Sequence, residues 1–164
     1  MNKVLYLHGL NSTLHQDRRE VLEKYELEIF APQVDYEGNP NALQELLDSY
    51  EVDLVVGSSA GGLGGYYFSG VKQLPALLFN PALPFRHYMK YIPDLPRRTK
   101  FLQIVLGARD EAVSPQKSFD FLTREFDKEV PMEIHWQNRL EHRIPIDVFE
   151  QELIYFLNKL NSTP

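Results

Sequence analysis

The segment Gly57-Ser58-Ser59-Ala60-Gly61 places a hydroxyl between two glycines and matches the pattern G-x-S-x-G in one register only. It follows an apolar, β-branched run at residues 52–56, which suits a buried strand, and precedes small residues that can begin a helix. A serine on such a turn presents its hydroxyl above the strand ends, where it can attack an acyl group. The pattern therefore predicts Ser59 as a nucleophile. It also predicts that a Cβ at position 57 or 61 would collide with neighbouring backbone.

Two other types of glycine-rich loop fit this stretch less well. A phosphate-binding loop requires Gly-x-x-x-x-Gly-Lys-Ser/Thr. Gly57 and Gly62 have that spacing, but Leu63 and Gly64 stand where the lysine and hydroxyl residue should be. The dinucleotide pattern G-x-G-x-x-G fails in every register. The remaining alternative is a glycine-rich turn with no catalytic role. The choice between that turn and a serine nucleophile depends on whether the rest of the chain supplies a base and an acid.

A serine nucleophile needs a general base, and that base needs an acceptor that fixes its tautomer and stabilises its charged form. Asp110 follows the fifth predicted strand within the pattern Gly-x-x-Asp-x-x-Val-x-Pro, which favours it as the acceptor. Glu111 is a competitor and Asp94 a weaker one. A solvated loop carboxylate with no such role is the ordinary alternative.

His142 is the candidate for the base. It alone among five histidines lies beyond the last predicted strand and before the last helix, after both Ser59 and Asp110 in the chain. The predicted triad is therefore Ser59, Asp110 and His142. The other histidines are His8 in the first loop, His15 at a helix start, His87 in a proline-rich segment and His135 inside the sixth strand.

A tetrahedral intermediate also needs two preorganised N–H donors for its oxyanion. The amide that follows the nucleophile, Ala60, is the first predicted donor. The loop after the first strand supplies the second, which we assign to Leu10 with Asn11 as the fallback. His8 is expected to shape this loop through structural hydrogen bonds.

These residues need a scaffold in which strands and helices alternate. Strands are predicted at 3–7, 27–30, 52–56, 76–79, 101–106 and 132–136. Helices are predicted at 16–25, at 41–50, after the turn that ends at 61 to about 69, at 115 to about 126 and at 145–160. Asn39 or Asn41 is the expected cap of the second helix and Ser114 of the fourth. The alternation predicts an α/β fold, a three-layer sandwich with a mostly parallel six-stranded sheet in the order 2-1-3-4-5-6. Ligands bind such sheets outside the carboxyl ends of the strands.

Residues 80–100 form a short cap-like segment that is rich in proline, with one short helix expected around 85–91. Its length is too small for a large lid, which predicts an open site. Phe85, Tyr88 and Met89, together with Tyr91 and Ile92, are candidates for an acyl pocket. Arg86, Arg97 or Arg98 could meet an anionic substrate group. Apolar cover for the sheet, with solvated arginines, is the alternative.

The composition excludes several other classes of function. The 164 residues fit one domain, 1–164, and a net charge of −6 without a basic block argues against nucleic acid or a membrane surface as partner. There is no cysteine and no apolar run of membrane-spanning length. The first strand begins at the N-terminus, so no signal peptide is expected and the predicted location is cytoplasmic. Neither a metal nor a cofactor is expected, and the oligomeric state is open.

The combined motifs resemble the α/β-hydrolase superfamily, and more closely the small bacterial YqiA-like esterases. The matching segments are Tyr6-Leu7-His8-Gly9-Leu10-Asn11-Ser12, Val56-Gly57-Ser58-Ser59-Ala60-Gly61-Gly62, Asn80-Pro81-Ala82 and Glu141-His142-Arg143 before Phe149-Glu150. The resemblance implies a minimal α/β-hydrolase fold and the chain order serine, acid, histidine. It also implies hydrolysis of a small-molecule carboxylic ester through an acyl-enzyme. A thioesterase, an acyltransferase and a non-catalytic binding protein of this fold remain as alternatives.

Overall fold

The computed structural model describes residues 1–125 and 129–162. The strands are β1 (Asn2–Leu7), β2 (Leu27–Phe30), β3 (Leu54–Ser58), β4 (Ala76–Phe79), β5 (Leu102–Gly107) and β6 (Met132–Gln137). The helices are α1 (Gln16–Lys24), α2 (Ala42–Ser49), α3 (Ala60–Lys72), α4 (Pro115–Glu125) and α5 (Ile146–Ser162). The predicted end of the fourth helix, near Phe126, lies outside the described residues. Within these ranges no helix combines the length and apolarity needed to cross a membrane.

The six strands form one sheet in the order β2-β1-β3-β4-β5-β6, and every neighbouring pair is parallel. This confirms the predicted strand order. The sheet is covered on both faces, and successive side chains of β1 enter opposite cores. Leu5 and Leu7 belong to one core, and Val4 and Tyr6 belong to the other. This period of two is what a buried strand imposes on its side chains.

The helices divide between the two faces of the sheet. Leu46 of α2, Phe68 of α3 and Phe121 of α4 belong to one core. Leu22 of α1 and Phe156 of α5 belong to the other. The result is the predicted three-layer sandwich, in which each amphipathic helix buries its apolar stripe against the sheet.

The structure differs from the predictions mainly at the ends of elements. The expected short helix at 85–91 is a 3₁₀ helix at Leu83–Tyr88. Ser114 caps α4 as predicted, because its Oγ accepts the Lys117 amide at 3.3 Å. Asn41 occupies the N-cap position of α2, but its side chain makes no capping bond. The Asn39 side chain instead accepts the Asn41 amide at 3.0 Å, so neither asparagine caps the helix in the predicted way.

Candidate active site

Ser59 lies in the turn between β3 and α3 with φ 56° and ψ −118°. A positive φ is unfavourable for a residue with a side chain and costs on the order of 1–3 kcal/mol, so the surroundings must enforce it. The Ser59 amide donates to the carbonyl oxygen of Phe79 at 3.0 Å, and the Ala82 amide donates to the carbonyl oxygen of Ser59 at 2.9 Å. The segment after β4 therefore holds the serine turn at the carboxyl edge of the sheet.

The glycines that flank this turn are required by close backbone contacts. A Cβ on Gly57 would lie 2.4 Å from the carbonyl oxygen of Gly61, and a Cβ on Gly61 would lie 2.0 Å from that of Leu7. Both distances are far below contact between a carbon and an oxygen, and backbone cannot move aside cheaply. The structure thus confirms the reason predicted for glycine at both positions.

Asp110 and His142 form a hydrogen-bonded pair at the same edge. The Asp110 side chain is completely buried, and its Oδ2 lies 2.7 Å from His142 Nδ1. Its other oxygen, Oδ1, accepts the amides of Ala112 and Val113, each at 2.8 Å. Each oxygen of the Asp110 side chain therefore has a hydrogen-bond partner. When His142 Nδ1 carries the hydrogen in its bond to Oδ2, Nε2 is the ring nitrogen that remains as an acceptor. The two competing carboxylates, Glu111 and Asp94, are exposed.

Ser59 and His142 both line one cavity of about 880 Å³. The cavity also contains Leu10 and Ala60, so it brings together four of the residues that the sequence selected. Among the described residues, no hydrogen bond joins the Ser59 hydroxyl to the His142 ring. Such bonds are often long in unliganded enzymes and shorten when substrate binds.

The amides of Leu10 and Ala60 donate to no other group in the described part of the chain. Ala60 is the first residue of α3, a helix of 13 residues, so its amide is one of the free donors at the positive end of the helix dipole. Both residues line the cavity, and their role as oxyanion donors stays a prediction.

His8 fixes the loop that carries Leu10. Its ring is 2% exposed, with Nε2 accepting the Val34 amide at 2.8 Å and Nδ1 directed at the carbonyl oxygen of Gly9. The Tyr36 hydroxyl donates to the carbonyl oxygen of His8 at 2.8 Å, and burial raises the pKa of that phenol. With both ring nitrogens engaged, His8 has the structural role that the sequence analysis expected.

The remaining histidines are not among the described residues that line the cavity. His135 Nδ1 is 2.6 Å from Oε2 of Glu152 on α5, and His87 stacks on the Tyr88 ring. His15 is the exposed residue before α1. Of the five histidines, His142 is the one that lines the Ser59 cavity within the described residues.

The cavity wall is mainly apolar. Phe85, Tyr88, Met89 and Tyr91 line it, whereas Ile92 lines a second cavity, and the acyl-pocket role stays a prediction. Other apolar lining residues were not predicted from the sequence: Tyr36, Leu43, Leu46 and Leu63. The apolar stripe of α2 was the available signal, but the same stripe also predicts packing against the sheet, and Leu46 does both.

None of the three arginines that could have met an anionic substrate group lines the Ser59 cavity. Arg98 is 4% exposed, and its guanidinium donates to the Ser69 hydroxyl at 3.2 Å and to the Tyr66 carbonyl at 2.9 Å. Burial lowers the pKa of Arg98 to about 10. Arg97 pairs with Glu129, and Arg86 lies over the Phe121 ring. All three line a second cavity of about 570 Å³ rather than the Ser59 cavity.

Comparison with known proteins identifies the fold. No family model matches the chain. The esterase Est1E from Butyrivibrio proteoclasticus superposes with a TM-score of 0.74 at 13% identity, over 99% of this chain and 89% of its own. A carboxylesterase from Bacillus cereus superposes with a TM-score of 0.67 at 17% identity, over 96% of this chain and 88% of its own. Alpha/beta hydrolase domain-containing protein 10 from mouse superposes with a TM-score of 0.69 at 15% identity, over 96% of this chain and 90% of its own. The chain has the α/β-hydrolase fold, and the closer resemblance to YqiA-like esterases stays a prediction.

Proposed function

We propose that this protein is a serine hydrolase that cleaves small or medium carboxylic esters through an acyl-enzyme. The observation that carries the proposal is the Asp110–His142 hydrogen bond beside a cavity that also contains Ser59 on a positive-φ turn. A buried carboxylate that orients an imidazole near a strained serine is an arrangement suited to acyl transfer.

In the proposed reaction, His142 Nε2 accepts the hydroxyl proton as Ser59 Oγ attacks the acyl carbon of the ester. The resulting oxyanion receives hydrogen bonds from the amides of Leu10 and Ala60, each worth roughly 3–4 kcal/mol in the transition state. His142 then gives its proton to the departing alkoxide, and the acyl group stays on Ser59. A water molecule, deprotonated by His142, then attacks the acyl carbon. The bond between the acyl carbon and Ser59 Oγ breaks, His142 returns the proton to Oγ, and the carboxylic acid leaves. Asp110 remains ionised throughout and stabilises the transient imidazolium.

The cavity supports an apolar acyl group as the substrate's main recognition element. Its two walls, from the 3₁₀ helix and from α2, are both apolar, so an aliphatic or aromatic acyl chain loses contact with water when it binds. The esterase names of two similar structures agree with this substrate class.

A panel of p-nitrophenyl esters and matched thioesters, with acyl chains of increasing length, tests the proposal. We expect ester hydrolysis by the wild type and a loss on the order of 10⁶-fold in kcat for His142→Ala, because the base is missing. His15→Ala is the matched control, since that imidazole is exposed and lies outside the cavity.

Other outcomes of the panel identify the alternatives. Faster cleavage of thioesters indicates a thioesterase, and transfer of the acyl group to an added alcohol indicates an acyltransferase. Ligand binding without turnover of any ester indicates a non-catalytic binding protein and overturns the proposal.

A further inference from the structure

Asn80 follows β4 at the carboxyl edge of the sheet and is 1% exposed. Its φ is 40°, in the left-handed region that asparagine tolerates better than most residues. No role for this side chain was predicted from the sequence. Asn80 directly follows a buried strand and belongs to the matching segment Asn80-Pro81-Ala82, but an asparagine before a proline indicates a turn equally well.

The Asn80 side chain makes three hydrogen bonds. Its Oδ1 accepts the amide of Gly107, at the end of β5, at 2.8 Å. Its Nδ2 donates to the carbonyl oxygens of Glu141 and His142 at 3.0 and 3.1 Å. One buried amide thus connects the end of β5 to the loop that carries His142.

Other contacts also hold the loop that carries His142. Leu140 and Ile144 are buried on either side of it, and Arg18 donates to the Ile144 carbonyl at 2.9 Å. The Arg109 amide donates to the Leu140 carbonyl at 3.0 Å. A Cβ on Gly107 would lie 2.4 Å from that same carbonyl, so the loop passes directly against the end of β5. Within the described residues, the carbonyls of Glu141 and His142 receive hydrogen bonds from Asn80 alone.

The backbone on either side of Asn80 holds the serine turn. Phe79 accepts the Ser59 amide, and Ala82 donates to the Ser59 carbonyl. Residues 79–82 therefore touch both the turn that carries Ser59 and the loop that carries His142. A shift of either relative to the other would have to break bonds to this segment.

We infer that Asn80 is a positioning residue, which holds the His142 loop in register with the Ser59 turn so that Nε2 can exchange a proton with the Ser59 hydroxyl. The inference rests on the proposed function for its effect on catalysis. Misplacement of a catalytic group by about 1 Å costs roughly 10²-fold in rate.

Two substitutions distinguish the effect of the Asn80 side-chain hydrogen bonds from the effect of the positive φ. Asn80→Gly tolerates the positive φ and removes all three hydrogen bonds. Asn80→Asp keeps an acceptor for the Gly107 amide but directs a carboxylate oxygen at two carbonyls, which repels the His142 loop. Gln103→Ala is the matched control, since it deletes another buried amide whose bonds, to Glu152 on α5, lie outside the cavity.

Ester hydrolysis should be measured well below the unfolding midpoint of every variant. We expect kcat to fall by about 10²-fold in both Asn80 variants with KM unchanged, because the acyl pocket is intact. Gln103→Ala should lose thermal stability but keep its kcat. Equal kcat values for Asn80→Gly and Gln103→Ala would overturn the inference.

A second measurement does not depend on activity. The proton on His142 Nδ1, which is shielded by its bond to Asp110, should give an NMR signal that exchanges faster with solvent in both Asn80 variants than in the wild type. An unchanged exchange rate in both variants overturns the positioning role. If the wild type hydrolyses no ester, the proposed function fails, whereas the exchange rates still decide whether Asn80 orders His142.

Discussion

Asp110 Oδ2 lies 2.7 Å from His142 Nδ1, although 32 residues separate the two in the chain. The Asp110 side chain is inaccessible to solvent, and one third of the His142 side chain is exposed. One end of the pair is therefore anchored inside the protein, while the imidazole reaches the cavity. This asymmetry is what a fixed acceptor and a working base require.

Asp110→Asn tests whether the carboxylate that is bonded to His142 contributes to catalysis. We expect kcat to fall by about 10⁴-fold with the fold retained, because an amide cannot stabilise an imidazolium and can favour the wrong tautomer. Glu111→Gln, an exposed neighbour, should leave kcat unchanged. Equal losses of kcat in the two variants, measured by ester hydrolysis, would contradict the assignment of Asp110 as the triad carboxylate.

Gly61→Ala tests the close approach of α3 to β1. The added Cβ would lie 2.0 Å from the Leu7 carbonyl oxygen, so we expect the free energy of unfolding to drop by roughly 3 kcal/mol or more. Gly64→Ala, in the same helix, meets nothing closer than 3.7 Å and should gain stability by up to about 1 kcal/mol through its higher helix propensity. Denaturant titration of both variants measures the difference, and a stable Gly61→Ala protein would contradict the described packing.

Phe85→Ala tests the acyl pocket. Phe85 lines the cavity and is 42% exposed, whereas Phe119 has a similar exposure of 37% and lies outside the cavity. Loss of apolar contact should lower kcat/KM about tenfold for a hexanoate ester, and less for an acetate ester that does not reach the ring. Phe119→Ala should leave both values unchanged. The same loss for both chain lengths would indicate that Phe85 does not contact the acyl chain.

Glu133 predicts a pH-dependent contribution to stability. Burial raises the pKa of its carboxyl, but hydrogen bonds from Lys159, Tyr155 and His135 outweigh burial and lower that pKa below its ordinary value. A lowered carboxyl pKa stabilises the fold above the pKa of the unfolded chain, about 4.3, and that stabilisation is lost as pH falls through the folded value. Glu133→Gln should therefore lower Tm at neutral pH, and the difference from wild type should shrink in acid.

The control for this prediction is Glu28→Gln, in the opposite edge strand. Glu28 is exposed and has no side-chain partner among the described residues, so its Tm difference should be small at every pH. A Glu133→Gln difference that stays constant from neutral to acidic pH would contradict the ionic origin of the effect.

The strand order was predictable because it depends on local pattern. Each strand is a short apolar run bounded by turn residues, and helices separate the strands, which leaves few parallel topologies. The same logic selected Ser59, Asp110 and His142, since each lies in a segment that follows a strand and all strands of a parallel sheet end at one edge. Position in the chain was enough to bring them near one another.

Contacts that depend on three-dimensional packing were not predictable. Asn80 bonds to carbonyls 61 and 62 residues away, and no sequence pattern marks a side chain that binds distant backbone. Arg98 was expected to be solvated or to face substrate, but it lies inside the protein because its guanidinium finds a helix carbonyl and a hydroxyl. The cavity-lining role of Leu43 and Leu46 on α2 was not predicted, because the apolar stripe of that helix both packs in the core and lines the cavity.

The most direct test of the central claim is the site of covalent labelling by a fluorophosphonate probe, determined by mass spectrometry of the intact protein and of its peptides. The proposed mechanism predicts one adduct per chain on Ser59, no adduct on Ser59→Ala, and normal labelling of Ser58→Ala, the adjacent serine. An unlabelled wild type, or a Ser59→Ala protein that is still labelled, would contradict the assignment of Ser59 as the nucleophile.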